Sequence, residues 1–154
     1  MKKEPLELRD LAIYLPYGIN CLVTKSSYLH LSEEERTGML TSIEIDSNVD
    51  NICVTRPSGE YLLTDIENIL PVLRPMEFFL QSIDFEGKTF IPEKKILDDC
   101  WMYRMDDEKF KKISDTAERT IELPFWIVER LISWHFDVFH FIKKSNAIPM
   151  NHLK

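Results

Sequence analysis

The sequence predicts an α+β fold in which a short N-terminal helix precedes an antiparallel β-meander, and a long apolar helix follows near the C-terminus. Three patterns support this prediction. Apolar residues recur at helical spacing over Leu6–Leu15, residues alternate with a period of two over Met39–Ile45, and an apolar stretch covers Pro124–Ile142. At 154 residues the chain has the size of one domain, so we expect a single α+β domain over residues 1–154.

The first half of the chain reads as a helix followed by strands. The helix stops at Pro16, which lacks the N–H that a helix interior needs. Ser32 and Glu35 form a capping-box pattern, which allows one helical turn in an otherwise loop-like stretch. The acidic run Glu33–Glu35 in that stretch reads as a solvated loop rather than a site, and Arg56–Glu60 reads as a tight reversal. The predicted strands are Ile19–Thr24, Met39–Ile45, Ile52–Thr55 and Tyr61–Leu63.

Prolines interrupt regular helix in the middle of the chain. Leu70–Pro75 is expected to be extended, because each proline biases the residue before it away from helical geometry. Met76–Ile83 is predicted as a short helix and Glu93–Trp101 as a weak one. The last helix is expected to begin at Pro124 and to end near Asn146.

The chain is acidic. It carries 19 Lys and Arg residues against 26 Asp and Glu residues, a formal net charge of −7. A chain of this charge is repelled by phosphate backbones, so binding to nucleic acid is disfavoured. The three cysteines lie far apart with no Cys-x-x-Cys pair, which favours reduced thiols in a cytosolic protein. These cysteines are Cys21, Cys53 and Cys100.

No segment is expected to enter or cross a membrane. The first residues lack the apolar core of a secretion signal. Pro124–Ile142 is long enough to approach the thickness of a bilayer, but Glu129, Arg130 and Asp137 would place charges inside it. We therefore expect a protein of the cytoplasm that does not contact membranes.

Motifs of common enzyme and cofactor classes are missing. The chain has only four glycines, none near another, so the sequence contains none of the glycine-rich loop motifs that bind phosphates. Neither the serine-hydrolase elbow nor the zincin signature occurs. We expect no catalytic residue, no metal and no cofactor, and a protein that is not an enzyme is the favoured alternative.

One cluster near the C-terminus does invite chemistry. His135, Asp137 and His140 could serve a metal or acid–base site. On a helix, however, His135 and His140 would lie about 140° apart, and only Asp137 and His140 would share a face. His135 falls within an apolar stripe, which favours a structural histidine over a ligand. Arg74, between two prolines, could clamp a carboxylate or phosphate, although hydrogen bonds to nearby backbone carbonyls are favoured.

A second face of the predicted C-terminal helix is also apolar. Such a helix is either surrounded by its own domain or meets a partner, and core burial is the favoured alternative. Tryptophan is enriched at binding hot spots, which keeps the partner interpretation open. The candidate interaction surface consists of Trp126, Trp134, Phe136, His140 and Phe141.

Segments spread over most of the chain carry a resemblance to a known family. They are Leu15–Gly18, Leu70–Pro75, Leu123–Phe125 and Trp134–Phe139, in this order. With them the chain resembles small uncharacterised proteins encoded in phages and prophages of Bacteroidetes, and Trp134–Phe139 is the most specific element. The family usually continues with a stretch that contains two glycines, and here His140 and Asn146 replace them. Asn146 can take the left-handed conformation that ends a helix.

The resemblance implies a phage or prophage origin and a bacterial cytoplasmic setting, but no reaction, cofactor or catalytic residue. We therefore expect a non-enzymatic accessory or interaction protein, with a protein partner or a homo-oligomer as its binding mode. One alternative is a small enzyme or ligand-binding domain that uses His135, Asp137, His140 or Arg74. Another is an oligomeric component of a virion or of its assembly.

Overall fold

The protein has an α+β fold, seen in a computed structural model that describes residues 4–44, 51–99 and 125–150. The chain divides into two compact units. The first consists of Met1–Leu73 together with Phe141–Lys154, and the second is Arg74–His140. In chain order the second unit is therefore an insertion into the first. The expectation of a single domain over residues 1–154 stays a prediction.

The N-terminal helix is confirmed and is short. Helix α1 spans Leu8–Ala12, and the carboxylate of Asp10 accepts the backbone N–H of Glu7 at 2.9 Å, as in a capping box. A 3₁₀ turn over Leu15–Tyr17 follows. Gly18 ends that turn with φ at 61°, a conformation that glycine adopts without steric cost.

The predicted meander is confirmed as well. The strands of the described residues are β1 Asn20–Val23, β2 Thr37–Ile43, β3 Ile52–Thr55, β4 Tyr61–Thr64, β5 Ile69–Leu73, β6 Ile83–Phe85, β7 Lys88–Phe90 and β8 Ile148–Pro149. Six of these described strands form one mixed sheet of the first unit in the order β4-β3-β2-β1-β5-β8. All neighbours in it are antiparallel except β5 and β8, which are parallel.

Strand β2 departs from strict alternation. Leu40 is buried opposite Val54, but the register shifts between Leu40 and Ser42, so that Thr41 is an extra residue on β2. Such a bulge reverses the side on which later residues lie. Ser42 is consequently exposed, whereas strict alternation would have placed it on the same side as Leu40.

The second unit contains a hairpin and two helices among its described residues. Strands β6 and β7 pair antiparallel, helix α2 spans Pro92–Asp99, and helix α3 spans Phe125–Ser133. The predicted weak helix at Glu93–Trp101 is thereby confirmed as far as the structure describes it. The helix predicted for Met76–Ile83 is a 3₁₀ turn over Met76–Leu80, because β6 begins at Ile83.

The long C-terminal helix was wrongly predicted. Helix α3 has nine residues, and His135 follows it with φ at 65°. The N–H of Phe136 bonds to the carbonyl of Leu131 at 3.0 Å, and that of His135 to Ile132 at 2.9 Å, which is the Schellman pattern. Histidine tolerates the left-handed region better than most residues, so the helix ends without glycine or proline. In the described ranges, no helix is long and apolar enough to cross a bilayer.

A second left-handed turn follows in the segment that returns to the first unit. Ser145 has φ at 61°, and the N–H of Asn146 bonds to the carbonyl of Phe141 at 2.8 Å. The left-handed residue of this turn is Ser145 and not its neighbour Asn146. Asn146 instead donates its side-chain amide to the carbonyl of Glu4 at 2.7 Å, which fixes the returning segment against the N-terminal one.

Replacing Ser145 by glycine should raise the free energy of unfolding by about 0.5–1 kcal/mol. The left-handed conformation costs a side-chain-bearing residue about 1–2 kcal/mol, and the larger backbone entropy of unfolded glycine offsets part of this gain. Chemical denaturation followed by circular dichroism measures the change. Ser145→Val, which cannot relieve the strain, should be destabilising, and a stable valine variant would contradict the assignment of this turn.

Candidate binding groove on the open face of the sheet

The register of the meander places one residue from each of four strands in a row. Asn20 lies opposite Met39, Met39 opposite Thr55, and Thr55 opposite Tyr61. Opposed residues of neighbouring antiparallel strands project from the same face. We call this side the open face, because Asn20, Met39 and Tyr61 are all exposed on it.

A groove of about 760 Å³ lies on the open face. Strands β1, β2 and β3 supply its floor, and two loops of the first unit form its walls. One wall is the turn that precedes β2, and the other is the reversal between β3 and β4. The lining residues are Asn20, Glu33, Glu34, Thr37, Gly38, Met39, Thr41, Thr55, Arg56 and Pro57.

The floor combines one large apolar side chain with hydroxyl groups. Met39 is 49% exposed, although methionine is usually buried. A Cβ at Gly18 would lie only 3.1 Å from the Met39 sulfur, so this side chain rests directly over glycine backbone. Thr41 and Thr55 bond to each other through their hydroxyls at 2.9 Å beside it. The floor thus offers apolar contact bordered by hydrogen-bonding groups.

The acidic wall is a well-fixed turn, residues 32–36, which we call the acidic turn. The Ser32 hydroxyl accepts the N–H of Glu35 at 3.2 Å, and the Glu35 carboxylate accepts the N–H of Ser32 at 3.3 Å. This is the predicted capping box. Glu33 and Glu34 are exposed at its tip, as expected for solvated residues. Neither carboxylate forms a hydrogen bond or ion pair within the described part of the chain.

The opposite wall carries a cation that is already paired. The Arg56 guanidinium donates to the carboxylate of Glu60 four residues later. The backbone of this reversal closes through the N–H of Gly59 to the carbonyl of Arg56 at 2.8 Å. The groove therefore has two unpaired carboxylates on one side and a neutralised arginine on the other.

Two further apolar side chains are exposed on the open face at the edge of the sheet. Tyr61 is 71% exposed and Leu63 is 46% exposed, and both project from β4 on the open face. The Tyr28 hydroxyl accepts the N–H of Leu63 at 3.3 Å, which satisfies a donor on the outer edge of β4. This contact leaves one N–H fewer on the edge of β4 for pairing with another strand, while the open face beside it stays exposed.

Arg74 has the structural role favoured by the sequence. Its guanidinium donates to the carbonyls of Trp134 at 3.4 Å and Asp84 at 3.3 Å, and it lies 5.8 Å from the ring centre of Phe136. Its backbone also forms a parallel bridge with Phe136. Burial lowers the pKa of the Arg74 guanidinium, and the charge of Asp84 offsets part of that shift.

The structure does not bring the predicted catalytic cluster together on one helix face. His135 caps helix α3, and its ring lies edge-on to Phe85 with the ring centres 5.2 Å apart. Asp137 is buried, and its N–H bonds to the carbonyl of Arg74 at 2.9 Å. His140 has φ at 61° and lies beyond the helix, so the spacing argument for a shared face does not apply.

The candidate interaction surface at the C-terminus needs correction. Trp134 and Phe136 of the second unit and Phe141 of the first unit are all buried. Trp126 and His140 are half-buried. These five residues do not form one exposed face.

Two cysteines fall within the described residues, and both are free thiols. Burial raises the pKa of the Cys21 thiol far above its usual range, which keeps it protonated and unreactive. Cys53 is half-buried, and Cys100 lies outside the described residues. No three ligand-type side chains gather into a metal site in the ranges the structure covers.

The chain matches no protein-family model and no curated protein, and its fold matches no solved structure. The groove must therefore be interpreted from its own chemistry. Sequence reasoning missed it, although one signal was present. The alternation around Met39 put this apolar side chain on the same face as the polar Thr41. A mixture of apolar and polar residues on one face is typical of a half-exposed sheet face.

Proposed function

We propose that the protein is a non-enzymatic interaction protein of a phage or prophage, and that it binds a partner protein in the bacterial cytoplasm through the groove. One observation carries this proposal. Met39 is exposed within a walled groove, and Tyr61 and Leu63 are exposed on the same face of the sheet, beyond Thr55. A sheet face that exposes several large apolar side chains marks an interaction site more often than a single scattered one does.

The composition of the groove favours binding over catalysis. Its described lining contains no histidine, cysteine or lysine, and its arginine is paired with Glu60. The two carboxylates are neighbours at the tip of one turn and do not face each other across the groove. A pair that works as acid and base normally acts on a substrate held between its members. Threonine, methionine and proline instead provide contact area.

The backbone near the C-terminus supports a phage or prophage origin. His140 has φ at 61°, a conformation that glycine adopts freely and other residues adopt at a cost. The Bacteroidetes phage family that the chain resembles has glycine where this chain has His140. A relative of that family would keep the same backbone conformation at position 140 even after glycine was replaced.

A photo-crosslinking residue placed at position 39 tests the proposal. In the native bacterial host, we expect light to join this variant to a discrete partner protein, while the same residue at position 13 gives no such product. Ile13 is a matched control, since it is exposed, lies in the first unit and is not part of the groove. Equal products at both positions, or none at either, would contradict the proposal. A product of two copies of this 18.2 kDa chain would favour the oligomeric assembly component instead.

A further inference from the structure

We infer that the groove takes a basic segment of the partner protein, with a lysine or arginine against the acidic turn and an apolar neighbour on Met39. The inference rests on the proposed function, because it names the chemistry of the partner that the groove would bind. Its evidence is the placement of charge around the groove and the way that the charge is held.

The carboxylates of the acidic turn are held in place but not neutralised. The capping box fixes the turn, and the N–H of Arg36 bonds to the carbonyl of Ser32 at 3.0 Å. The Arg36 guanidinium, the nearest cation along the chain, donates to the carbonyls of Val23 at 2.9 Å and Leu31 at 3.3 Å. It is therefore occupied with backbone, and Glu33 and Glu34 are left to attract a cation from outside.

The floor suits the stem of a long cationic side chain. Lysine and arginine bury their aliphatic stems along apolar surface while the charged head stays at the polar rim. Met39 supplies that surface, and its flexible thioether adapts to different neighbours. A cation that reached across Met39 toward the acidic turn would meet two carboxylates, and an apolar neighbour in the same segment could cover the remaining part of Met39.

Charge also argues against other occupants of the groove. A second copy of this chain would bring another net charge of −7 toward the same surface. Nucleic acid would place phosphates against the carboxylates. A basic protein segment is attracted by both the net charge and the local one, so it is the occupant that the electrostatics favour.

An array of immobilised peptides provides the test. Each peptide has about eight residues, a span of about 26 Å when extended, with varied combinations of Lys or Arg and Leu, Ile or Phe. A matched array carries Glu wherever the first carries Lys or Arg. We expect the intact protein to bind a subset of the first array and none of the second. Fluorescence anisotropy then gives the dissociation constant of the best binder for each variant below.

Matched variants separate the acidic turn from overall charge. Glu33→Gln with Glu34→Gln should weaken binding of the peptide about 5- to 10-fold, as expected for two solvent-exposed ion pairs. Glu44→Gln with Glu67→Gln removes the same charge from exposed residues outside the groove and should change binding less than two-fold. Raising the ionic strength from about 0.01 M to about 0.15 M should bring the peptide dissociation constants of these two double variants closer together, because salt screens the exposed ion pairs.

Met39→Lys should abolish measurable binding of the same peptide, because it replaces the apolar floor with a like charge. The exposure of Met39 lets this variant fold, which an unchanged circular dichroism spectrum would verify. The inference is overturned if no peptide of the cationic array binds or if the acidic array binds equally well. It is also overturned if the Glu33/Glu34 and the Glu44/Glu67 double variants bind the peptide with the same dissociation constant. Crosslinking at position 39 together with any of these results would leave the proposed function standing and remove only the inference.

Discussion

Replacing Phe136 by alanine should lower the free energy of unfolding by about 3–5 kcal/mol, the usual cost of deleting a buried phenylalanine ring. Phe136 is fully buried and lies beneath the Arg74 guanidinium, whose centre is 5.8 Å from the ring centre. The variant loses the buried ring and leaves a cavity beneath the guanidinium. Urea denaturation followed by circular dichroism measures the effect.

Phe125→Ala is the matched control for Phe136→Ala. Phe125 is 79% exposed at the start of helix α3, so its removal should change the free energy of unfolding by less than about 0.5 kcal/mol. The comparison also decides whether Phe136 is a buried core residue or part of an exposed interaction surface. A loss below about 1 kcal/mol at Phe136 would contradict its burial and restore it as a candidate surface residue.

Gly38→Ala should cost about 2–3 kcal/mol of stability, although alanine is normally better than glycine in a strand. A Cβ at position 38 would lie 2.5 Å from the backbone oxygen of Thr55 and 2.8 Å from its carbonyl carbon. Backbone atoms cannot rotate away as a side chain can, so β2 and β3 would have to separate. The same shift would widen the floor of the groove.

Gly87→Ala separates this steric effect from backbone strain. Gly87 has φ at 75° and open space around it, so alanine there should cost about 1 kcal/mol from conformation alone. A Gly38 variant that loses no more stability than the Gly87 variant would contradict the close approach of β2 and β3. Thermal or chemical denaturation of the two variants gives the comparison directly.

The parts of the fold that were predicted correctly depend on local signals. The strands of the meander follow from alternation and from the turn residues between Thr55 and Tyr61, and the capping box of the acidic turn follows from Ser32 and Glu35. Each of these signals lies within a few residues of the structure that it specifies. The role of Arg74 as a donor to backbone carbonyls was predicted too, but its partner carbonyls on Trp134 and Asp84 lie far from it in sequence and could not be named from local signals.

The parts that were wrong depend on contacts between distant segments. Helix α3 ends because the chain turns at His135 and because Arg74, far away in sequence, pairs with Phe136. No glycine or proline marks that point, so the apolar pattern continues past the end of the helix. The bulge at Thr41 is likewise a property of the pairing of β2 with β3 and leaves no trace in β2 alone.

The sequence carried only one signal of the candidate site, the alternation around Met39, for a related reason. Glu33 and Glu34 were correctly expected to be solvated, and Met39 was correctly placed on a strand. Their relation, with the carboxylates beside an exposed apolar floor, arises only when the turn and three strands come together. Alternation identifies the two faces of a strand but does not tell which of them the fold will cover.

The parallel pairing of β5 with β8 has a consequence for synthesis on the ribosome. Strands β1 to β5 are complete once Leu73 has been made, but β8 emerges only after the whole of residues 74–140 has been translated. At about 5–20 residues per second, the outer side of β5 stays uncovered for several seconds. An uncovered strand edge invites pairing with another nascent chain. Pro71 lies within β5 and offers no N–H, so the strand has one donor fewer for such pairing while it waits for β8.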